Sequence, residues 1–155
     1  MIRLSPIAPD EAPRLAHLDL GEGQENFSLP PAVALAQDGP FDGYAIWNGD
    51  EIVGFFRIDR AYADHMEFCP AGDIGLRAFS IGSKFQGRGF ATSACRQIKA
   101  ALAPRYPNAH ALWLTVNCAN PVAIAAYRSG GFDDTGALYH GGRAGPQHIL
   151  RLALS

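Results

Sequence analysis

The sequence lacks most of the features that mark a specialised partner. It has no excess of one charge: thirteen Lys and Arg stand against fifteen Asp and Glu, a net charge of −2. Non-specific nucleic-acid binding needs a basic excess, and single-strand binding needs aromatic residues interleaved with it; neither is present. No apolar run approaches the roughly 20 residues that cross a bilayer. The opening stretch MIRLSPIAPDEAPRLAHL has no continuous apolar segment of the secretory kind. Cysteine is scarce: Cys69, Cys95 and Cys118 lie far apart with no C-x-x-C pair. A reduced, cytoplasmic protein is expected. The histidines, His17, His65, His110, His140 and His148, keep no ligand spacing with one another or with the cysteines, so no metal is expected. There is no G-x-S-x-G elbow, and no P-loop lysine follows the glycines. Nucleic acid and membrane drop out as partners.

The 155 residues, 48% hydrophobic, suit one domain over 1–155 with a sizeable core. IRLSPI alternates weakly as a first strand. Asp10 reads as the N-cap of a short helix to about Leu20, with Pro13 in its first turn. GEGQEN is a loop, and LPPAVALAQ a second short helix entered through prolines. GYAIWNGDEIVGFFRID is a hairpin around Asn48-Gly49, the dipeptide a type I′ turn prefers. DIGLRAFSIG is a strand. Phe90, Ala94, Ile98, Ala101 and Leu102 recur at helical spacing until Pro104. HALWLTVN is a buried strand. Asn120 and Pro121 open a helix that Gly130-Gly131 closes. FDDTGALYH and QHILRLAL are strands joined by GGRAG. The order, β-α-α-β-β-β-α-β-α-β-β, predicts an α+β fold.

In SIGSKFQGRGFATSACRQIKAAL the glycines stand where a strand hands over to a helix. A helix N-terminus carries unpartnered N–H groups and partial positive charge. Glycine lets a ligand approach that backbone closely, and Arg88 adds charge, so the turn suits phosphate. A turn that needs glycine only for its geometry explains the same residues. The dinucleotide fingerprint G-x-G-x-x-G is met in part: Gly87 and Gly89 are present, but Thr92 holds the third position.

QGRGFA resembles the Q/R-x-x-G-x-G/A signature of the GNAT superfamily of acetyl-CoA-dependent N-acetyltransferases. The likeness extends over AFSIGSKFQGRGFATSACRQIKAAL, similar to that family's fourth strand and third helix. It extends again over LWLTVNCANPVAIAAYRSGGF, similar to its fifth strand and fourth helix. The resemblance implies one mixed, mostly antiparallel sheet of about seven strands, flanked by about four helices and splayed between strands four and five. It implies acetyl-CoA as co-substrate. Phe79, Ser80 and Ile81 would lie beside the pantetheine and acetyl group. Backbone N–H groups of Gln86, Gly87, Arg88, Gly89, Phe90 and Ala91 would hold the pyrophosphate. Asn120, a plain N-cap on its own terms, would also bond the CoA arm, with Asn117 nearby.

Direct attack of an amine on the thioester requires a neutral amine, donors for the developing oxyanion and a proton for the departing thiolate. The resemblance puts a backbone N–H near Ile81 at the oxyanion and Tyr127 at the thiolate. A phenol of pKa about 10 protonating a thiolate of about 8.5 is uphill by roughly 2 kcal/mol. For the base, many relatives carry a glutamate on the fourth strand; the matching position here is Gly75, which cannot act. Asp73, two residues away on the same face, is the first alternative, with Glu67 and Asp64 upstream. Its other reading is a solvated strand-end carboxylate.

QENFSLPPAVALAQ faintly resembles the bacterial polyamine (spermine and spermidine) branch, and Glu22, Glu25, Asp64, Glu67 and Asp73 could attract a polycation. The expected acceptor is a small-molecule primary amine, whether a polyamine, an amino acid or an antibiotic. A protein amino group, or a CoA-binding sensor without turnover, are the alternatives, and a homodimer stays open.

Overall fold

Strand-forming residues cluster in the middle of the chain and set the centre of the sheet. Val53, Phe55, Phe56 and Ile58, with Tyr44, Ala45 and Ile46 before them, are all buried. The structure, a computed structural model, describes residues 1–20, 29–142 and 145–155. Its strands are β1 (Ile2–Ile7), β2 (Phe41–Asn48), β3 (Glu51–Asp59), β4 (Ile74–Ile81), β5 (Ala111–Asn117), β6 (Asp133–Tyr139) and β7 (Gln147–Ala153). They form one seven-stranded sheet in the order β1-β2-β3-β4-β5-β7-β6. Every neighbouring pair is antiparallel except β4 and β5, which run parallel. The α-helices are α1 (Pro31–Ala36), α2 (Tyr62–His65), α3 (Phe90–Leu102) and α4 (Pro121–Ser129), with 3-10 turns at Pro9–Leu15 and Ser83–Phe85. No helix among the described residues is long and apolar enough to cross a membrane.

Three local expectations change. The first helix is a 3-10 segment capped at Ala8, not an α-helix capped at Asp10. Pro13, the fifth residue of the segment, lacks the N–H that an α-helix would donate to the Pro9 carbonyl. In the hairpin Asn48 pairs with Glu51, so the two-residue loop is Gly49-Asp50. Gly49 has φ +61° and Asp50 is not left-handed, the pattern of a type II′ turn. Third, α2 was not foreseen; one turn long, it carries no periodic signal. The loop reading of GEGQEN, with Glu22 and Glu25, lies outside the described residues.

Two irregularities in β4 open the sheet at its middle. Phe55 pairs with Ser80 and Arg57 with Arg77, so Phe56 faces both Ala78 and Phe79. This is a bulge, with Ala78 at φ +58°. The parallel ladder between β4 and β5 has only two rungs, Ile74 to Leu112 and Gly75 to Trp113. Beyond them the strands part.

The two faces of the sheet are covered differently. On one, Leu35 of α1 lies over Gly43 and Phe55, and Arg57 donates to the Ala34 carbonyl at 3.0 Å. On the other, α3 buries Ala94, Cys95, Ile98 and Leu102, the stripe that its periodicity predicts. There α4 sends Tyr127 against Phe79, and Phe79 stacks on Phe56.

Candidate active site

The strand β4 runs through Gly82 and a 3-10 turn into Gly87 and Gly89, which have φ +81° and +79°. Glycine adopts this left-handed backbone without penalty. A Cβ at either position would meet no heavy atom within 4 Å, so both turn toward open space. Gly89 caps α3 with no side-chain hydrogen bond. The amides of Gly87 through Thr92 find no partner on the backbone of the described residues. Unpaired, converging N–H groups at a helix start form an anion cradle. Arg88 stands exposed beside it. Gln86 folds back, its Nε2 donating to the Ile81 carbonyl at 3.0 Å.

That bond also fixes how the end of β4 is oriented. Gly82 N–H donates to the Val53 carbonyl at 2.9 Å. In an antiparallel ladder the neighbouring pair is then the open one. Ile81, opposite Gly54, therefore turns its N–H and C=O away from β3, toward the gap. Ser80 shares a face with Phe55, and its buried hydroxyl has no partner among the described residues. Unsatisfied buried groups are uncommon and call for a ligand or a water.

Tyr127 is 8% exposed and stands edge-on between Phe79 and Phe132, at centroid distances of 5.5 and 5.6 Å. Its hydroxyl makes no hydrogen bond among the described residues. Burial, with the neighbouring Cys95, holds the phenol well above its ordinary pKa, because a phenolate would lose its hydration there. Burial likewise pushes the Cys95 thiol up to about 12. Asn120 caps α4 by accepting from Ala123 N–H at 3.4 Å, and its own N–H donates to the Asn117 carbonyl at 2.9 Å. Asn117 is buried and accepts from Ala119 N–H at 2.8 Å. Thus Phe79, Ser80, Ile81 and Tyr127 meet at the gap, and Gln86 to Ala91 lie at its open end. Asn117 and Asn120 join β5 to α4.

Asp73 is elsewhere, and the expectation that it serves as the base is corrected. It is 4% exposed and precedes β4, roughly 20 Å along the strand from Ser80. Its Oδ1 accepts from the N–H groups of His110 and Ala111 at 2.9 and 3.2 Å. Its Oδ2 accepts from Trp113 Nε1 at 2.9 Å. These donors bind the chain that leads into β5, so the carboxylate fastens the two strands where they still pair. Nor is there room for a side chain at Gly75: a Cβ would lie 1.9 Å from the Tyr62 ring. Asp64 and Glu67 are exposed.

A further group was not singled out from sequence. Arg57 and Arg77 are register partners on the α1 face. Asp59 accepts from Arg77 Nε and from Ala61 N–H, both at 2.9 Å. The Arg77 guanidinium lies over Tyr62 at 4.7 Å. The signal was the alternation in FFRID, which puts Arg57 and Asp59 on the face of Phe55.

The Acetyltransferase (GNAT) family model matches residues 12–132. No curated protein matches the sequence. Among solved structures, the aminoglycoside acetyltransferase AAC(6')-Ib in complex with coenzyme A and kanamycin superposes with a TM-score of 0.74 at 16% identity, over 99% of this chain and 95% of that one. The ribosomal-protein-S18-alanine N-acetyltransferase from Escherichia coli gives 0.67 at 18% identity, over 100% and 95%. The GNAT domain of S. lividans PAT gives 0.70 at 22%, over 99% and 90%. At these identities the superpositions speak for the fold. The family model covers most of the chain, including the bulged fourth strand, the glycine cradle and α4. This protein is an acyltransferase that belongs to the GNAT family of acetyltransferases.

Proposed function

We propose that the protein transfers the acetyl group of acetyl-CoA to a primary amine of a small molecule, by direct attack while both substrates are bound. One observation carries this reading. The gap between β4 and β5 opens onto the unpaired amides at the start of α3 and has Tyr127 on its wall.

The residues present fit acetyl-CoA. The cradle offers N–H groups and open space where a Cβ would intrude, and Ser80 brings an orphaned hydroxyl. The amides of Gly87 to Ala91, with Arg88, hold the pyrophosphate. The outward C=O of Ile81, which keeps a second lone pair beside the one Gln86 occupies, accepts from the pantetheine end as an added strand would. Phe79 and Ser80 line it. Asn120, with Asn117 behind it, bonds the arm beside β5. Acetyl-CoA supplies an activated acyl group and a thiolate leaving group. Ile81 N–H is the donor placed for the developing oxyanion, and Tyr127 holds the proton the sulfur needs. Asp73 is committed to three N–H donors away from the gap, so we assign the proton of the incoming ammonium to water.

The test is release of free CoA thiol across a panel of amines, with calorimetry on a Gly89→Glu variant. Turnover with at least one amine is expected. The variant should stay folded and lose CoA affinity by tenfold or more, since its carboxylate fills the pyrophosphate cradle. Tight binding of acetyl-CoA without thiol release for any amine would make the protein a binding module instead. Unchanged CoA affinity in the folded variant would sink the assignment of the cradle.

A further inference from the structure

Arg57 is 7% exposed, and a buried cation normally has a counter-ion of its own. Among the described residues Arg57 has none. Its Nη1 donates to two neutral oxygens, the Ala34 carbonyl at 3.0 Å and Gln37 Oε1 at 2.7 Å. Its plane lies 3.9 Å from the Phe41 ring centroid. Its Nε is buried without a partner among those residues. The nearby carboxylate, Asp59, is already bound to Arg77 at 2.9 Å. Arg77 stands directly across the ladder from Arg57, and like charges facing each other on one face of a sheet repel. Two guanidiniums therefore share one buried carboxylate. Asp38 also lines the space, but it is exposed and makes no ion pair with Arg57.

The space is a cavity of about 80 Å³ lined by Leu35, Gln37, Phe41, Gly43 and Arg57, large enough for a carboxylate. It sits on the α1 face. The strand β4, with Arg77 on that same face, lies one strand spacing from β3, about 4.8 Å, and borders the gap on its other side. From the cavity over β2 and β3 to the gap beyond β4 is about two strand spacings, roughly 10 Å, which an acceptor with several bonds between its amine and its acid group would span.

We propose that the acceptor is an amino acid or similar amine whose carboxylate is held by Arg57, with Arg77 beside it. The proposal rests on the acetyltransferase reading and names its substrate class. Arg57 is then a specificity-determining residue: its side chain reaches the acceptor, not the reacting atoms. The geometry runs against a polycationic acceptor, which would bring like charge to two arginines.

The experiment compares α- and ω-amino acids with their carboxamides, which keep the amine and lose the charge, and with spermidine. Thiol release measures turnover. Calorimetry measures acceptor binding to the CoA-saturated protein. The acids should be preferred over the amides by tenfold or more in kcat/KM. Arg57→Met should raise KM for the acids about 10- to 100-fold, the scale of a lost charged hydrogen bond. It should leave KM for the amides and the affinity for CoA unchanged. Arg57→Lys, which keeps the charge, should retain part of the preference. If amides or spermidine react as well as the acids, the proposal is wrong while the transferase reading stands. An equal rise in KM for acids and amides would mean that Arg57 only pins α1. If the acids bind by their carboxylate and no thiol appears, the transferase reading fails and the anion site stands. If they neither bind nor react, the proposal fails.

Discussion

Tyr127 holds its proton because its surroundings cannot hold a phenolate. It lies between two phenyl rings, and burial raises its pKa. The sign matters for the pH profile. A raised phenol pKa means that the neutral form persists as pH rises, so its ionisation does not limit the enzyme in an ordinary assay range. The amine sets the lower limb instead, since an alkylamine of pKa about 10.4 becomes competent only as it deprotonates. Wild-type kcat is therefore expected not to fall between about pH 8 and 10, as steady-state rates across that range will show. The same burial makes proton donation costlier than for a free phenol, so a proton given by Tyr127 would leave late, when thiolate charge is nearly complete. Tyr127→Phe should lower kcat by roughly 10²–10⁴-fold. Melting temperature should scarcely change, because the hydroxyl bonds to no group among the described residues. A variant with intact kcat and rate-limiting chemistry would give the proton to solvent; a lower melting temperature with intact kcat would make the ring structural.

The helix α4 carries that tyrosine, and a single contact sets its depth. Gly130, at its C-terminal end, lies so close to α3 that a Cβ would come 2.4 Å from the Cys95 carbonyl oxygen. A backbone carbonyl cannot swing aside, so Gly130→Ala must push the helices apart. The expected cost is about 1–3 kcal/mol, read as a lower denaturant midpoint. Turnover should also fall, because Tyr127 sits one turn upstream and moves with the helix. Full kcat in the folded variant would show that the position of α4 is not critical. The ends of α4 were legible in the sequence: Asn120, Pro121 and Gly130 act on backbone groups within a turn. The cradle was legible for the same reason, since Gly87 and Gly89 answer to local φ. The first helix was misread because it starts at Pro9 rather than after Asp10, which puts Pro13 in its interior. The pairing of Arg57 with Arg77 needs the β3–β4 register, including a bulge that no residue type announces. In Asp73 the failure was one of distance, its partners lying 37, 38 and 40 residues away.

Asp73 matters at the scale of the whole molecule. Below the gap only two parallel rungs join the strands β1–β4 to β5–β7, and Asp73 ties the chain entering β5 to the chain entering β4. Asp73→Asn turns N–H groups toward N–H groups at a buried site. It should cost about 2–4 kcal/mol in a denaturant melt, while kcat per folded molecule stays near wild type. A catalytic base would behave the other way round, with stability kept and turnover lost. The division has a further consequence, in time. The two parts of the sheet are also consecutive parts of the chain. Once residue 81 has left a ribosome, β1, β2 and β3 have every strand neighbour they will ever have. Only β4 still waits, with one edge bare. The gap proposed for acetyl-CoA is bounded by the last strand of the early part and the first strand of the late one. A growing chain can thus hold half of the fold and only one wall of the proposed site.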